Sequence, residues 1–423
     1  MVNIINSTLP LIMIAYLFYF RRDRSLNNLL LMTLFLSYFA FATNYTNYGL
    51  DFDLYRYLHK FIGVLAVVGL VHHVFKNNIT ILNNGVFYLL LMFLLAIGVS
   101  YFGNELNIQH YLHYARNFLF ISLLVLFIYF KLDTNKKVDE LLRFIVGLVL
   151  ILSIFAIIQA VFTDDRARVQ LFYSNPNYLS VALMFGFSTL LFIKTEFKVM
   201  KLVLVAFAIL STKSHAVLVS SVILLLLYAF KNRGAVSPNS FFMGLIILII
   251  SSSVFFHQKI AEIYHNEVRV SLAKIAFNAY SGNLVNGIGY GQFRTQFYKY
   301  TNNEVLKNSE VNTAVLSYDS SLSDRFIKNL GMTRNMEKMT HNDLFKIISE
   351  LGSLGVAFIL CYFYKLYFKL GILFKNSQEY FYISLSLLIG SLIFSLLHNN
   401  ITSFVFWFIL FFPFVVNRNY LKQ

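Results

Sequence analysis

Charged residues are scarce in this sequence: Asp, Glu, Lys and Arg make up 13% of its 423 residues, against about 25% in soluble domains. A deficit of this size excludes an ordinary soluble globular domain. The hydrophobic share is 58%, and aromatic side chains alone contribute 17%. The composition therefore predicts an integral membrane protein.

Other absences narrow the chemistry. The single cysteine, Cys361, excludes an internal disulfide. The sequence has no Walker A motif, no HExxH motif and no Cys/His spacing typical of a metal site. An acidic pair of the DxD type, which would hold Mg²⁺ and a nucleotide-sugar, is not evident. We therefore predict neither a cofactor nor a metal.

The apolar runs are long and unbroken, as in 222–230 and 241–250. Lipid offers no partner for backbone N–H and C=O groups, so helices are favoured, and a membrane β-barrel would instead show short alternating segments. We predict an all-α polytopic membrane protein of about thirteen spans. They lie near 4–20, 27–44, 59–75, 83–102, 113–131, 141–162, 178–194, 198–212, 215–230, 240–256, 343–368, 378–397 and 402–416.

The loop charges predict the orientation. The net charge of +15 does not indicate nucleic-acid binding, because membrane proteins concentrate Lys and Arg in cytoplasmic loops. Alternate connections, such as 21–24, 194–201 and 365–375, are rich in basic residues. These loops are predicted to be cytoplasmic, with the N-terminus extracytoplasmic and the C-terminus cytoplasmic.

The predicted organisation, listed in order, is a membrane domain of ten spans (1–256), a large extracytoplasmic loop with short amphipathic helices (257–342), and three spans with a cytoplasmic tail (343–423).

Polar residues cluster at the predicted outer face, where charged groups are costly and tend to be functional. Arg166 and Arg168 follow two aspartates, and Asn175 and Asn177 open the next span. The arginines suit an anionic substrate, or they form solvated ion pairs with the aspartates. The asparagines suit substrate binding, or they cap the following helix.

Two more clusters share this face. Lys213 and His215 lie in a tight connection between two spans, which is a binding site or a plain polar turn. Arg269 begins a segment with helical apolar spacing over 268–280. Further on, Gly289 lies in a Gly-Ile-Gly-Tyr-Gly stretch, where glycines permit positive φ and close approach to a ligand, or form an ordinary tight loop.

The fourth cluster begins with His341 and Asn342 at the start of an apolar segment. His341 is a titratable group at the predicted interface, with either a catalytic or a structural role. Asn342 is a substrate ligand or a helix cap. Glu350 lies deeper in the same helix, with Lys346 four residues before it as a neutralising neighbour.

These pieces together resemble the superfamily of O-antigen ligases and Wzy-type O-antigen polymerases. His341-Asn342-x-x-Phe345-x4-Glu350-Leu351-Gly352-x-x-Gly355 is similar to its signature. Arg269 followed by Gly287–Phe293, and Arg168 followed by Phe172-x-x-Asn175-Pro176-Asn177, are similar to two further stretches of that superfamily. Ser211–His215 is similar to its serine-arginine turn, although His215 stands where arginine is usual. The resemblance covers about residues 160–416.

The resemblance implies a GT-C-like membrane glycosyltransferase of the plasma (inner) membrane that is metal-independent and uses an undecaprenyl-pyrophosphate-linked glycan. It implies catalytic roles for His341 and Arg269. It also implies binding of pyrophosphate or sugar by a wider set of residues: Arg168, Arg166, Lys213, His215, Asn342, Asn177, Glu350 and Gly289. A flippase and a chain-length regulator of the same pathway are the implied partners.

Three activities remain open at this point. The first is an inverting polymerase that joins lipid-linked repeat units of O-antigen or capsule. The second is a ligase that transfers finished polymer to lipid A-core or another terminal acceptor. The third, from another class, is a polysaccharide or lipid-linked oligosaccharide transporter, which should line a path through the bilayer with charges at mid-depth.

Overall fold

The computed structural model describes the following parts of the chain, most of them after residue 84. They are 85–102, 104, 106–162, 169, 171, 176–233, 268–300, 342–397 and 404–421, together with 9, 12, 13, 15, 16, 64, 67–72 and 75. Predicted spans near 27–44 and 240–256 lie outside this set. Those near 4–20 and 59–75 are described only at scattered positions.

The described residues form eleven α-helices with defined bounds, and no strand occurs among them. In chain order they are α1 (Gly85–Val99), α2 (Ile108–Lys131), α3 (Asn135–Val161), α4 (Pro176–Phe192), α5 (Lys198–Thr212), α6 (His215–Arg233), α7 (Val268–Gly282), α8 (Phe293–Gln296), α9 (Asp343–Asn376), α10 (Gln378–Leu397) and α11 (Phe404–Leu421). A short 3₁₀ helix, Phe297–Tyr300, follows α8. The all-α prediction is confirmed, and nine of these helices coincide with predicted spans.

Four helices are long and apolar enough to cross a membrane: Tyr111–Lys131, Asn135–Val161, Asp343–Asn376 and Gln378–Leu396. Shorter apolar helices, such as Gly85–Val99, accompany them. Several long apolar helices in one chain are typical of a multi-pass membrane protein.

Local sequence signals explain several helix boundaries. Thr134 caps α3 by accepting a hydrogen bond from the Lys137 amide, as Thr commonly does at this position. Pro176 opens α4, where its missing N–H costs nothing. Lys213 ends α5 in the left-handed conformation, and α6 begins at His215, so the predicted tight turn is present.

The helices pack in two connected groups. α3, α4 and α5 contact one another, α6 contacts α4 and α5, and α10 packs against both α4 and α6. α9 packs against α1, α7, α10 and α11. An aromatic cluster joins α1, α2, α9 and α11. The ring centroid of Phe93 lies 4.4 Å from that of Phe118, 4.8 Å from that of Phe358 and 5.1 Å from that of Trp407.

A smaller apolar cluster is separate from the main hydrophobic core of the helices and supports the candidate site. Its buried members come from α7, the loop that follows it, α8 and the 3₁₀ helix: Leu272, Ile275, Ala276, Ala279, Ile288, Phe293 and Phe297. Phe345 of α9 packs against it. The helical spacing predicted for 268–280 is thus confirmed, and its apolar stripe attaches α7 to α9.

Candidate functional site

The first turn of α9 is fixed by Asn342. Its Oδ1 accepts a hydrogen bond from the Phe345 amide at 3.1 Å, and its Nδ2 donates to the Leu396 carbonyl at 3.1 Å. Asn342 is therefore the helix cap that the sequence allowed, and it also attaches α9 to the end of α10. The preceding residue, His341, lies outside the described residues, but its chain neighbour is held on two sides.

α9 is broken at Gly352. Its φ of +60° and ψ of −145° are not helical, and this region of the backbone map is almost restricted to glycine. A helix would pair the Ser353 amide with the Ser349 carbonyl. Here Ser353 N–H donates to the Leu284 carbonyl at 2.7 Å, and the Ser349 carbonyl accepts from Ile288 N–H at 2.9 Å.

The segment that fills this break is the loop after α7, residues 283–292, which we call the glycine loop. Besides the bond from Ile288, the amide of Gly289 donates to the Glu350 carbonyl at 3.1 Å. Gly287, Gly289 and Gly291 all have positive φ, at +64°, +98° and +78°. A Cβ on Gly287 would collide with the backbone of Glu350, so the close approach requires glycine on both sides of the contact.

The carboxylate of Glu350 completes this junction. It is 1% exposed, and its two oxygens accept hydrogen bonds from the amides of Gly291 at 2.9 Å and Phe293 at 3.1 Å. Hydrogen bonds to an ionised group are stronger than neutral ones. Glu350 therefore attaches the far end of the glycine loop, where α8 begins, to α9.

Lys346 lies one turn before Glu350 on α9 and is also buried. Its Nζ is 4.6 Å from the ring centroid of Tyr114 and 6.0 Å from that of Tyr290, which are cation–π contacts. Lys346 attracts the Glu350 carboxylate electrostatically. Burial raises the pKa of the Tyr290 phenol well above its usual value, and the nearby Glu350 charge adds to this effect, so Tyr290 is neutral.

The connection between α1 and α2 holds the other side of the glycine loop. Ser100 Oγ accepts from the Tyr290 amide at 3.2 Å, and Asn104 Nδ2 donates to the Gly287 carbonyl at 3.0 Å. The Asn107 amide donates to Gln292 Oε1 at 2.9 Å. The sequence analysis did not predict a role for Ser100, Asn104 or Asn107. Their one signal in the sequence is that they lie in the polar break between two apolar segments.

A second pair of predicted clusters meets at the ends of α3 and α5. The amide of Val169 donates to the Ser211 carbonyl at 3.3 Å, and the amide of Leu171 donates to Gln159 Oε1 at 2.9 Å. Val169 directly follows Arg168, and Ser211 lies two residues before Lys213. The chain beside Arg168 is therefore joined to the turn that carries Lys213.

The structure describes the remaining predicted residues unevenly. Arg166 and Arg168 lie outside the described residues. The backbone alone is described for three others: Arg269 in the first turn of α7, His215 at the start of α6 and Asn177 in the first turn of α4. The side chain of Lys213 is exposed.

No group of three or more His, Cys, Asp or Glu side chains that could hold a metal ion is found among the described residues. Comparison with known proteins adds no assignment: no protein-family model matches the chain, and a search of curated proteins finds no significant relative.

Proposed function

We propose that this chain is an inverting membrane glycosyltransferase of the O-antigen polymerase type, which joins undecaprenyl-pyrophosphate-linked repeat units at the outer face of the plasma membrane. One observation carries the proposal. Of the two most informative pieces of the resemblance, Gly287–Phe293 and the described part of the second, 342–355, form a single hydrogen-bonded junction through Glu350 and the break at Gly352. The bond from Gly291 to Glu350 joins residues 59 positions apart, and contact between the two pieces is what a shared site requires.

The junction supports a common location for the proposed catalytic groups. α7, which carries Arg269 near its start, packs against α9, which begins one residue after Asn342. Arg269 therefore lies on a helix that packs against α9, and the loop that follows this helix is held to α9 by buried hydrogen bonds. We propose that His341, which directly precedes the cap of α9, acts beside it. A site that must hold reacting groups in a defined geometry requires this kind of support.

In the proposed reaction a hydroxyl oxygen of the acceptor sugar attacks the anomeric carbon of the donor glycan. The bond from that carbon to the pyrophosphate oxygen breaks, and the lipid pyrophosphate leaves with the electron pair. His341 takes the hydroxyl proton. Arg269 and Arg168 stabilise the negative charge on the leaving group, with Arg166, Lys213 and His215 beside them, because guanidinium groups bind phosphate oxygens through two parallel hydrogen bonds.

The proposal extends the described helices to a GT-C-like chain of about thirteen spans, with the N-terminus outside and the C-terminus inside. Residues 257–342 form the outer loop that selects the sugar, and Asn177, Asn342 and Gly289 lie beside the substrate. The proposed partners are lipid-linked glycans of the surrounding membrane, with a flippase and a chain-length regulator of the same pathway. No cofactor or metal takes part.

The test is a surface-polysaccharide gel from a strain that lacks the gene and carries either the wild-type copy or a variant. His341→Ala and Arg269→Ala are each expected to abolish long polymer. His113→Ala and Arg116→Ala are the matched controls, because both side chains are exposed on α2, and they are expected to retain it. Membrane levels of each variant are compared by immunoblot.

Each pattern on the gel has a distinct meaning. Collapse to a single attached repeat unit supports the polymerase. Loss of all attached glycan, with long polymer on the lipid carrier, would indicate the ligase. Wild-type chain length in the His341 and Arg269 variants would refute the proposed site, and an unchanged ladder in the deletion strain would favour the transporter.

A further inference from the structure

Three aromatic rings and two lysines meet where α4 ends, α5 begins and α6 ends. The Phe192 ring centroid lies 5.9 Å from that of Tyr228 and 5.5 Å from that of Tyr382, which belongs to α10. Lys198 Nζ is 5.2 Å from the Tyr228 centroid. Lys231 Nζ is 5.3 Å from the Phe192 centroid and 5.2 Å from the Tyr382 centroid.

The two ammonium groups are held together although they repel each other. Lys198 donates a hydrogen bond to the Leu191 carbonyl at 2.8 Å, and it is repelled by Lys231 and attracted by Glu379. In the described part of the chain, neither lysine forms an ion pair with a carboxylate within 4.0 Å. Among the described residues of this cluster, Glu379 is thus set against two cations, which leaves net positive charge there.

The same end of α5 and α6 exposes large apolar side chains. Phe197 is 73% exposed, Val199 75% and Met200 65%, and Phe230 at the end of α6 is 56% exposed. On a multi-pass membrane protein, such side chains face lipid acyl chains. The lysine pair therefore lies beside a lipid-facing surface, at the level where α4 and α6 end and α5 begins.

We propose that Lys198 and Lys231 bind the phosphate of an anionic glycerophospholipid, with an acyl chain along the exposed apolar side chains of α5 and α6. A phosphodiester headgroup without an amine supplies the missing negative charge. The three rings keep the lysines in place through cation–π contacts. A zwitterionic headgroup carries its own cation and gains less from the pair. This site is separate from the proposed transfer chemistry and requires only that the chain spans a membrane.

The test measures binding of labelled phosphatidylglycerol to the purified full chain in phosphatidylcholine nanodiscs. Lys198→Gln/Lys231→Gln is compared with wild type and with the control Lys136→Gln/Lys375→Gln, which removes the same charge from two exposed lysines. Each of the two lysines is expected to raise the affinity for the anionic lipid about fivefold. The double glutamine variant should therefore bind about 30-fold more weakly. The control should bind within about twofold of wild type, and Lys198→Arg/Lys231→Arg should retain binding because it keeps both charges.

Three results would overturn the site. Equal weakening in both double glutamine variants would show that general surface charge attracts the lipid. Equal affinity of wild type for labelled phosphatidylcholine would show that the negative charge is not recognised. Displacement by millimolar inorganic phosphate would indicate a site for soluble anions. Thermal unfolding of each variant in detergent shows whether it is folded, and the arginine variant keeps the test valid if the glutamine variant is unstable.

Discussion

Replacement of Glu350 by glutamine is the sharpest perturbation of the junction, because it removes one charge and alters no packing volume. Glu350 accepts hydrogen bonds from the amides of Gly291 and Phe293. Hydrogen bonds to a charged group contribute about 1.5–3 kcal/mol each, and neutral ones about 1 kcal/mol. Glutamine keeps one acceptor oxygen but turns an NH₂ donor toward the second amide. We expect the junction to lose about 2–3 kcal/mol.

Hydrogen–deuterium exchange of the purified protein in detergent measures this loss directly. Opening of the glycine loop exposes both amides, so they should exchange about 30- to 150-fold faster in Glu350→Gln. Glu196→Gln is the matched control, because Glu196 is exposed in the connection between α4 and α5, and it should leave these amides unchanged. Unaltered exchange at Gly291 and Phe293 in Glu350→Gln would refute the role assigned to the carboxylate.

Three other changes test the packing around the site, each by thermal unfolding in detergent. Gly352→Ala places a Cβ within 2.5 Å of a glycine-loop carbonyl, at a φ/ψ almost restricted to glycine, and should lower the free energy of unfolding by about 3 kcal/mol or more. The control Gly371→Ala, in the same helix, meets nothing within 4 Å and should raise stability slightly. Equal melting temperatures of the two variants would contradict the break at Gly352. Phe93→Ala should cost about 3–5 kcal/mol by opening a cavity among the rings, and a loss below about 1 kcal/mol would contradict that packing. Asn342→Ala should cost about 1–2 kcal/mol and Asn342→Ser less, since serine still caps α9 and places no carboxylate beside the Leu396 carbonyl. The reverse order would contradict the capping role.

The helices were largely predictable from the sequence. Apolar length and spacing are local properties, so the spans near 198–212 and 378–397 coincide closely with α5 and α10. Boundary signals were equally local: Asn342 caps α9 and Pro176 opens α4. The sugar-selecting role of the outer loop, the orientation in the membrane and the roles of His341 and Arg269 remain predictions.

The partners of the buried polar groups were not predictable. Lys346 attracts Glu350, as its position four residues earlier in the helix indicated. Its contacts with the rings of Tyr114 and Tyr290, which belong to α2 and the glycine loop, had no signal in the sequence. Glycines three residues apart, as at 352 and 355, are typical of places where a neighbouring helix approaches closely. The segment that approaches Gly352 is a loop, and the space for a Cβ at Gly355 is filled by the preceding turns of α9 itself.

The sequence by itself therefore determined the helices of the described residues, including several long apolar ones typical of a multi-pass membrane protein, because burial in lipid acts on each apolar segment separately. Only the tertiary structure decided that α9 breaks at Gly352 and that Glu350 holds the glycine loop. The bond from Gly291 to Glu350 joins residues 59 positions apart, and no local pattern specifies which distant amide a buried carboxylate will meet. Hydrogen bonds of this kind form because a buried charge must find donors wherever the fold supplies them.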